Sequence, residues 1–557
     1  MILNGARRQW SHVPPEPGLV DEISERAGCS GTLAGVLVSR GVASGPDAMR
    51  FLSAASDPLP DAHLLPDAAR VTDRIERALD GHELIAVHGH DDPDGITATV
   101  IMVEALRHLG AVPLTYIPDR KTEGHGLSRA ELDRLHAAGV NLIVTVDSCV
   151  SDREFIAYAK ELGIDTIVTD HHEIPPELPP AVAIVNPKLP DDRFPYRYMA
   201  GVGVSLRVAD LLMEDLGGRH DRTYERAPWC GQRWREEALA LAAIGSVSDR
   251  VPLTGDNRAI VTQGLSAIPR TERTGLRTVL ENTRLWGEEV EPDDIREFLG
   301  PVLGRFPGDT PGTQRALDLL LTKDEEEAAG LASDLIDRQT RWKEQALCSW
   351  RSVRKGLGGD PAVSGAPVLV LESTVPIGVM GYVTSRLADE LGKPTVLMAP
   401  RNSELSAEAR GPAGFNFVDA FASMRELFIG YGGHPRAAGF SMNPDNAGAF
   451  RRRFVEFAES NPPEPPPRVI DAQLPLAAVT PELAAELDLM RPFGQANHRP
   501  LFLARAVTRG RMADAESSGV RFGTPPPSVD LPADMVYRLR DSDGVALVSF
   551  IDSIEKE

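Results

Sequence analysis

Residues 84–106 read LIAVHGHDDPDGITATVIMVEAL, and the rest of the chain is best read outward from them. Leu84–His88 is a short apolar run that predicts a buried strand. It stops at an acidic turn holding Asp92 and Asp94, flanked by Gly89 and Gly95. Apolar positions then recur at Val100, Val103, Leu106 and Leu109, which predicts a helix over Thr97–Leu109.

The same alternation continues downstream. Apolar runs at Val112–Ile117, Leu142–Val146, Asp165–Thr169 and Ala181–Asn186 are separated by helical patterns at Ser128–Ala138 and Asp152–Leu162. Apolar strands alternating with helices predict a parallel sheet covered on both faces. Helices are expected at Val202–Leu216 and Arg235–Asp249, and a long spacer helix over Lys323–Trp350, either single or kinked into two. A second α/β pattern follows: a strand in Ala366–Ser373, a helix over Val379–Leu391 and a strand at Pro394–Pro400. The proline run Asn461–Arg468 reads as a linker. Short apolar runs beyond it, including Pro500–Val507, predict a small β-barrel. The expected architecture is α/β: two α/β lobes joined by a long helix, with a C-terminal barrel. The boundaries read as 1–75 (lead-in), 76–318, 319–360 (connecting helix), 361–460 and 469–557.

Composition narrows the function. The 557 residues carry 59 Lys plus Arg against 81 Asp plus Glu, a net charge of −22. That argues against a basic coat for nucleic acid and confines any DNA-contacting surface to a local basic track. The four cysteines form no CxxC, which disfavours a disulfide scaffold and a cysteine zinc knuckle. No signal-type apolar run or 18-residue apolar stretch is present, so a cytoplasmic setting without membrane contact is expected. Dinucleotide, P-loop and serine-hydrolase elbow motifs are absent.

The chemistry-bearing residues follow strand ends. His88, Asp92 and Asp94 follow the first strand, Asp147 the third, and Asp170-His171-His172 the fourth; Asp249 closes a helical segment. In open α/β sheets, sites form beyond the carboxyl ends of strands. Aspartate and histidine without cysteine suit Mn²⁺ or Mg²⁺, with zinc the borderline case. Several carboxylates in one cleft need compensating cations, and two cations sharing one carboxylate suit phosphoryl transfer. A second cluster, Arg410 with Gly432, Gly433, His434 and Arg436, combines glycine amides and guanidinium groups that can meet phosphate.

From about residue 80 onward the sequence resembles the DHH phosphoesterase family, most closely its RecJ-type single-strand-specific exonucleases. The motifs are HGHDDPDG, TVDSC, DHH itself, GSVSDRVPL and GGHPRAAGF, with PFGQANHRPLF resembling the start of the family's OB-like barrel. The resemblance implies a DHH catalytic lobe and a DHHA1-like companion lobe. It implies one cation on His88, Asp92 and Asp147, and another on Asp94, Asp147, His171 and Asp249. Mn²⁺ comes first, with Mg²⁺ the alternative. His172 would lie beside the scissile phosphate, oriented by Asp170. Arg120, Glu123 and His125 would line the substrate rim, and Arg305 would stand in for a family motif that lacks its asparagine here. His90 occupies a place that is usually aspartate, so it joins the metal or its surroundings. Cys149 replaces a usual glycine. The implied activity is 5′-to-3′ hydrolysis of single-stranded DNA to mononucleotides, in repair and recombination. Single-stranded DNA is the implied partner, a single-strand-binding protein or helicase the further candidates, and a monomer the favoured state. The alternatives are a phosphodiesterase for short oligonucleotides or cyclic dinucleotides, and a non-catalytic binding or scaffold relative. Relatives with further C-terminal sequence leave room for the chain to be a truncated form.

Overall fold

The computed structural model describes residues 2–4, 9–54, 58–118, 126–190, 193–220, 232–283, 285–304, 310–358, 365–464, 466–524, 532–542 and 544–554. Strands β1 (Leu84–His88), β2 (Leu114–Tyr116), β3 (Val140–Val146), β4 (Asp165–Thr169) and β5 (Ala183–Val185) form one parallel sheet in the order β2-β1-β3-β4-β5. The chain passes to one side of β1 for β2 and to the other for β3. That reversal opens a crevice beyond the carboxyl ends of β1 and β3, where an open α/β sheet places its ligands. The strand expected over Val112–Ile117 shrinks to three residues. It is the sheet edge, paired only with β1, and Val112 is exposed.

Helix α1 (Pro93–His108) starts four residues before the apolar periodicity suggests. The Asp92 carboxylate caps it by accepting the Gly95 N–H at 3.0 Å, and Pro93 occupies the first turn, where a missing N–H costs nothing. Ile96 and Ala98 through Val103 are buried almost without interruption, because α2 (Gly201–His220) and α3 (Gln232–Ser248) both pack on α1. Each large apolar side chain buried this way contributes roughly 1.5–3 kcal/mol. The acidic turn is therefore anchored to a helix buried along most of its length. The spacer is one uninterrupted 33-residue helix, α4 (Glu325–Leu357).

Two compact units result. The first comprises Met1–Arg305, Asp309–Ile336 and Val469–Glu557; the second contains Asp337–Arg468. Within the first, the N-terminal helices Pro17–Ala27, Gly31–Ser39 and Gly45–Leu52 share a core with the C-terminal sheet: Ile23, Leu33 and Leu37 pack in one cluster with Phe502, Tyr537 and Phe550. That sheet runs in the order Ala472–Gln473, Leu501–Val507, Ala533–Ser542, Val545–Ile554, Val520–Thr524. Arg258, almost wholly buried, donates to the carbonyls of Phe51, Leu489 and Met490 and so ties three distant segments together.

The second unit holds a mixed sheet in the order Phe428–His434, Ala437–Met442, Glu404–Arg410, Thr395–Arg401, Leu369–Glu372, with only the last pair parallel. Its core is a phenylalanine cluster that includes Phe417, Phe421, Phe450 and Phe454.

Candidate metal centre

The topological crevice collects the acids and imidazoles. Asp147 directly follows β3, and a backbone φ of +57° turns its carboxylate out of the strand direction. Its Oδ2 lies 3.9 Å from His90 Nδ1, while its Oδ1 lies 3.1 Å from His171 Nε2. Its two oxygens thus face two different imidazoles. His90 Nδ1 also stands 3.1 Å from Asp92 Oδ2, and His171 Nε2 stands 3.9 Å from both Asp94 Oδ2 and Asp249 Oδ2. Two trios follow, His90–Asp92–Asp147 and Asp94–His171–Asp249, each with its donor atoms within 4.8 Å of one another; Asp147, His171 and His172 form a third, overlapping group.

The centre has a buried floor and an open rim. Asp94 and Asp147 are buried, whereas the side chains of Asp92, Asp249 and His172 are 40%, 31% and 56% exposed. Helix termini build the floor. The Asp94 carboxylate accepts the N–H groups of Gly201 (2.8 Å) and Val202 (2.9 Å) at the start of α2. Gly201 is required there, since a Cβ would sit 2.3 Å from Asp147 Oδ1. Neither Gly201 nor its amide is apparent as a site residue in the sequence; the Gly-Val-Gly-Val opening of an apolar helix is the signal that points to it.

Crowding shows in the acid–base behaviour. Burial and the nearby Asp249 charge push the Asp94 carboxyl up to about 7. Burial, then the charges of Asp94 and Asp92, push Asp147 well above the carboxylate range. Asp249 is raised by burial and by Asp92. For Asp92, burial is outweighed by its hydrogen bond to His90, and the carboxyl is held at about 2. Burial lowers the His90 imidazole, but Asp92, Asp147 and Asp91 together lift it to about 9. Without cations, protons carry the compensating charge here.

His88 is fully buried. Its Nδ1 lies 2.7 Å from Glu131 Oε1, and its Nε2 is buried with no hydrogen-bond partner. It stands outside the His90–Asp92–Asp147 trio. Glu131, itself buried, fixes which ring nitrogen of His88 carries the proton. The sequence conceals this, because Glu131 opens a helix at a position that favours acids for dipole reasons alone.

Asp170 organises the DHH turn. One oxygen accepts Val150 N–H at 2.9 Å; the other accepts the N–H of His171 and of His172 and faces His172 Nδ1 at 2.7 Å. Burial alone would raise its carboxyl, but the His172 bond and charge hold it below the usual range. That same bond raises His172 and leaves its Nε2 toward the open rim. Cys149, where the resemblance places glycine, has φ +78°, a conformation in which glycine is unstrained.

In the second unit, Gly432, Gly433 and His434 lie on the exposed edge strand Phe428–His434 rather than in a turn; the hairpin turn is Pro435-Arg436, with Arg436 exposed. The Arg410 guanidinium donates to Glu408 Oε2 at 2.8 Å. Arg120, Glu123, His125 and Arg305 lie outside the described residues.

Within the first unit, a groove of about 930 Å³ lies between the Val247–Leu253 segment and the C-terminal sheet. Arg250, Arg296, His498, Arg499, Arg538 and Arg540 line it, with Glu291 and Asp293 as its acids. Arg499 stacks over Phe493 at 4.4 Å. In a chain of charge −22, this is a confined basic track.

Residues 84–245 match the family described as DHH family, N-terminal domain, and residues 470–522 match the RecJ OB domain. The single-stranded-DNA-specific exonuclease RecJ of Bacillus subtilis is 30% identical over 89% of this chain and 61% of its own length. The Escherichia coli protein of that name is 32% identical over 75% of this chain and 74% of its own. The crystal structure of RecJ in complex with Mn²⁺ from Thermus thermophilus superposes with a TM-score of 0.78 at 26% identity, covering 98% of this chain and 80% of that one. A Mg²⁺ complex from the same organism gives 0.73. The chain spans 61% and 64% of the lengths of the Bacillus and Thermus relatives.

Proposed function

The chain belongs to the RecJ family of single-stranded-DNA-specific exonucleases, and from that premise we propose that it removes mononucleotides from the 5′ end of single-stranded DNA with the help of two divalent cations. One observation carries the reading: the two oxygens of Asp147 face two separate donor sets across one crevice. The fit to cations rests on charge as well. Asp92, Asp94, Asp147 and Asp249 supply four negative charges in one crevice, two of them on its buried floor, the charge two divalent ions offset. The Mn²⁺ and Mg²⁺ of the Thermus structures suit this oxygen and imidazole set.

We assign Asp92, Asp147 and an imidazole of the His88–His90 segment to the first cation, and Asp94, Asp147, His171 and Asp249 to the second. When bound, such ions supply Lewis acidity toward water and phosphoryl oxygens. The protein's own part is orientation and charge. Asp170 accepts from His172 Nδ1 and favours the imidazolium, whose Nε2–H then donates to a phosphoryl oxygen at the rim, where negative charge develops during displacement. The amides of Gly201 and Val202 hold Asp94 in place and keep the floor of the crevice rigid. The basic groove takes the phosphates of the strand, and Phe493 with its stacked Arg499 offers a platform for a base. In the second unit, Arg410, Gly432, Gly433, His434 and Arg436 are assigned to phosphate contacts. No described helix is long and apolar enough to cross a membrane.

The groove favours a long strand over a short oligonucleotide or cyclic dinucleotide, because it offers a second, basic surface apart from the acidic crevice in the same unit. Replacement of Asp147 by Asn tests the assignment. Hydrolysis should fall by at least about 10³-fold with unchanged circular dichroism, in line with losing a group shared by both cations. Full activity in the folded variant would contradict it.

A further inference from the structure

His90 stands where the motif resemblance leads one to expect a carboxylate. Its surroundings are built rather than incidental. The ring is mostly buried, and the turn at Gly95 is packed against it so tightly that a Cβ on Gly95 would lie 2.4 Å from His90 Cβ. Nδ1 faces inward, 3.1 Å from Asp92 Oδ2 and 3.9 Å from Asp147 Oδ2. Nε2 faces the other way, 3.7 Å from the buried carboxylate of Asp91. An imidazole with one nitrogen toward two ligand carboxylates is placed as a metal ligand would be; Asp91, at 3.7 Å from the other nitrogen, adds charge on that side without a direct hydrogen bond. His88 has an acid-oriented ring, with Nδ1 on Glu131 and Nε2 buried, but it supplies no donor atom to the His90–Asp92–Asp147 trio.

We propose that His90, through Nδ1, is a ligand of the first cation and biases that position toward Mn²⁺ and the later first-row ions over Mg²⁺. The proposal rests on the two-cation reading above. Two physical consequences follow. Each trio then contains one imidazole and two carboxylates, so both positions are borderline in softness, and nitrogen ligation discriminates against Mg²⁺, which favours oxygen. The full set carries four carboxylates and two neutral imidazoles, matching two divalent ions in charge. An aspartate at position 90 would add a fifth negative charge, relieved best by a strongly oxygen-seeking ion.

The test uses the full chain without DNA, so that binding is read separately from turnover. Mn²⁺ is titrated by electron paramagnetic resonance, Mg²⁺ is measured by competition, and nitrogen couplings of bound Mn²⁺ are recorded by pulsed methods. Wild type should bind two Mn²⁺ with couplings from two histidines. His90→Asp should keep two Mn²⁺ but lose one histidine coupling, and its Mn²⁺-over-Mg²⁺ preference should fall by about tenfold or more. His90→Gln, which keeps the neutral charge without an imidazole, should lose the same coupling and weaken one Mn²⁺ by about 10–100-fold. Unchanged couplings and a preference within twofold of wild type in both folded variants would overturn the role of His90 alone. Fewer than two Mn²⁺ in wild type would instead bring down the two-cation reading, and this inference with it.

Discussion

Replacing Asp94 with Asn should flatten the pH dependence of stability in the metal-free protein. Asp94 sits on the floor of the crevice with its carboxyl pushed up to about 7 by burial and by Asp249. An acid whose folded-state value is raised contributes its full stability below the unfolded value near 4, and that stability is lost as pH rises through about 7. A displacement of that size corresponds to several kcal/mol, and more than half of it falls between pH 5 and pH 8. Asn keeps the side-chain size and one acceptor for the Gly201 or Val202 amide, and it cannot ionise. It loses a charge-assisted bond, a cost of about 1.5–3 kcal/mol that does not vary with pH. Denaturant unfolding with EDTA at pH 5 and pH 8 measures the slope. Wild type should lose a few kcal/mol more than the variant over that interval. Excess Mn²⁺ should restore wild type chiefly at pH 8, where the carboxylates are ionised. Equal slopes for wild type and variant, or a wild-type stability that rises with pH, would refute the picture of a crowded, cation-requiring acid cluster.

Three further substitutions probe other parts of the account. Gly201→Ala forces a Cβ to within 2.3 Å of Asp147 Oδ1, so Mn²⁺ affinity by titration should fall by about tenfold or more, with a loss of about 1–3 kcal/mol in unfolding free energy. Asp170→Asn weakens the hold on His172 Nδ1; kcat should drop by about 10–100-fold with little change in Mn²⁺ stoichiometry. Arg538→Ala with Arg540→Ala removes two cations from the groove, and the slope of log affinity for single-stranded DNA against log salt should shrink by about 1.4.

Much of the first sheet is legible in the sequence, because its strands are buried on both faces and read as unbroken apolar runs. Leu84–His88 and Asp165–Thr169 are visible to the residue. Short-range chemistry is equally visible: the acids follow strand ends, and Asp92-Pro93 is a helix start that periodicity alone overlooks. Long-range packing is not visible. Nothing near Ile23 or Leu37 announces that they share a core with Phe502 and Tyr537, almost 500 residues away, so the N-terminal helices read as a separate lead-in. The same holds for Glu131, whose partner His88 is 43 residues distant. The glycines of GGH suggest phosphate contacts and not a strand, yet Gly433 at φ +137° serves a strand whose neighbour Ala438 approaches too closely for any Cβ. His90 is visible as a departure from the motif, but only its distances to Asp92 and Asp147 give that departure a chemical meaning.

One single strand carrying different labels at its two ends, incubated with the protein and Mn²⁺, reads polarity and strand preference together. The 5′ label should appear first and solely as mononucleotide while the 3′-labelled remainder shortens progressively, and the same strand in blunt duplex form should resist. Release of the 3′ label first, internal cuts, or equal digestion of the duplex would contradict the proposed 5′-to-3′ activity on single strands.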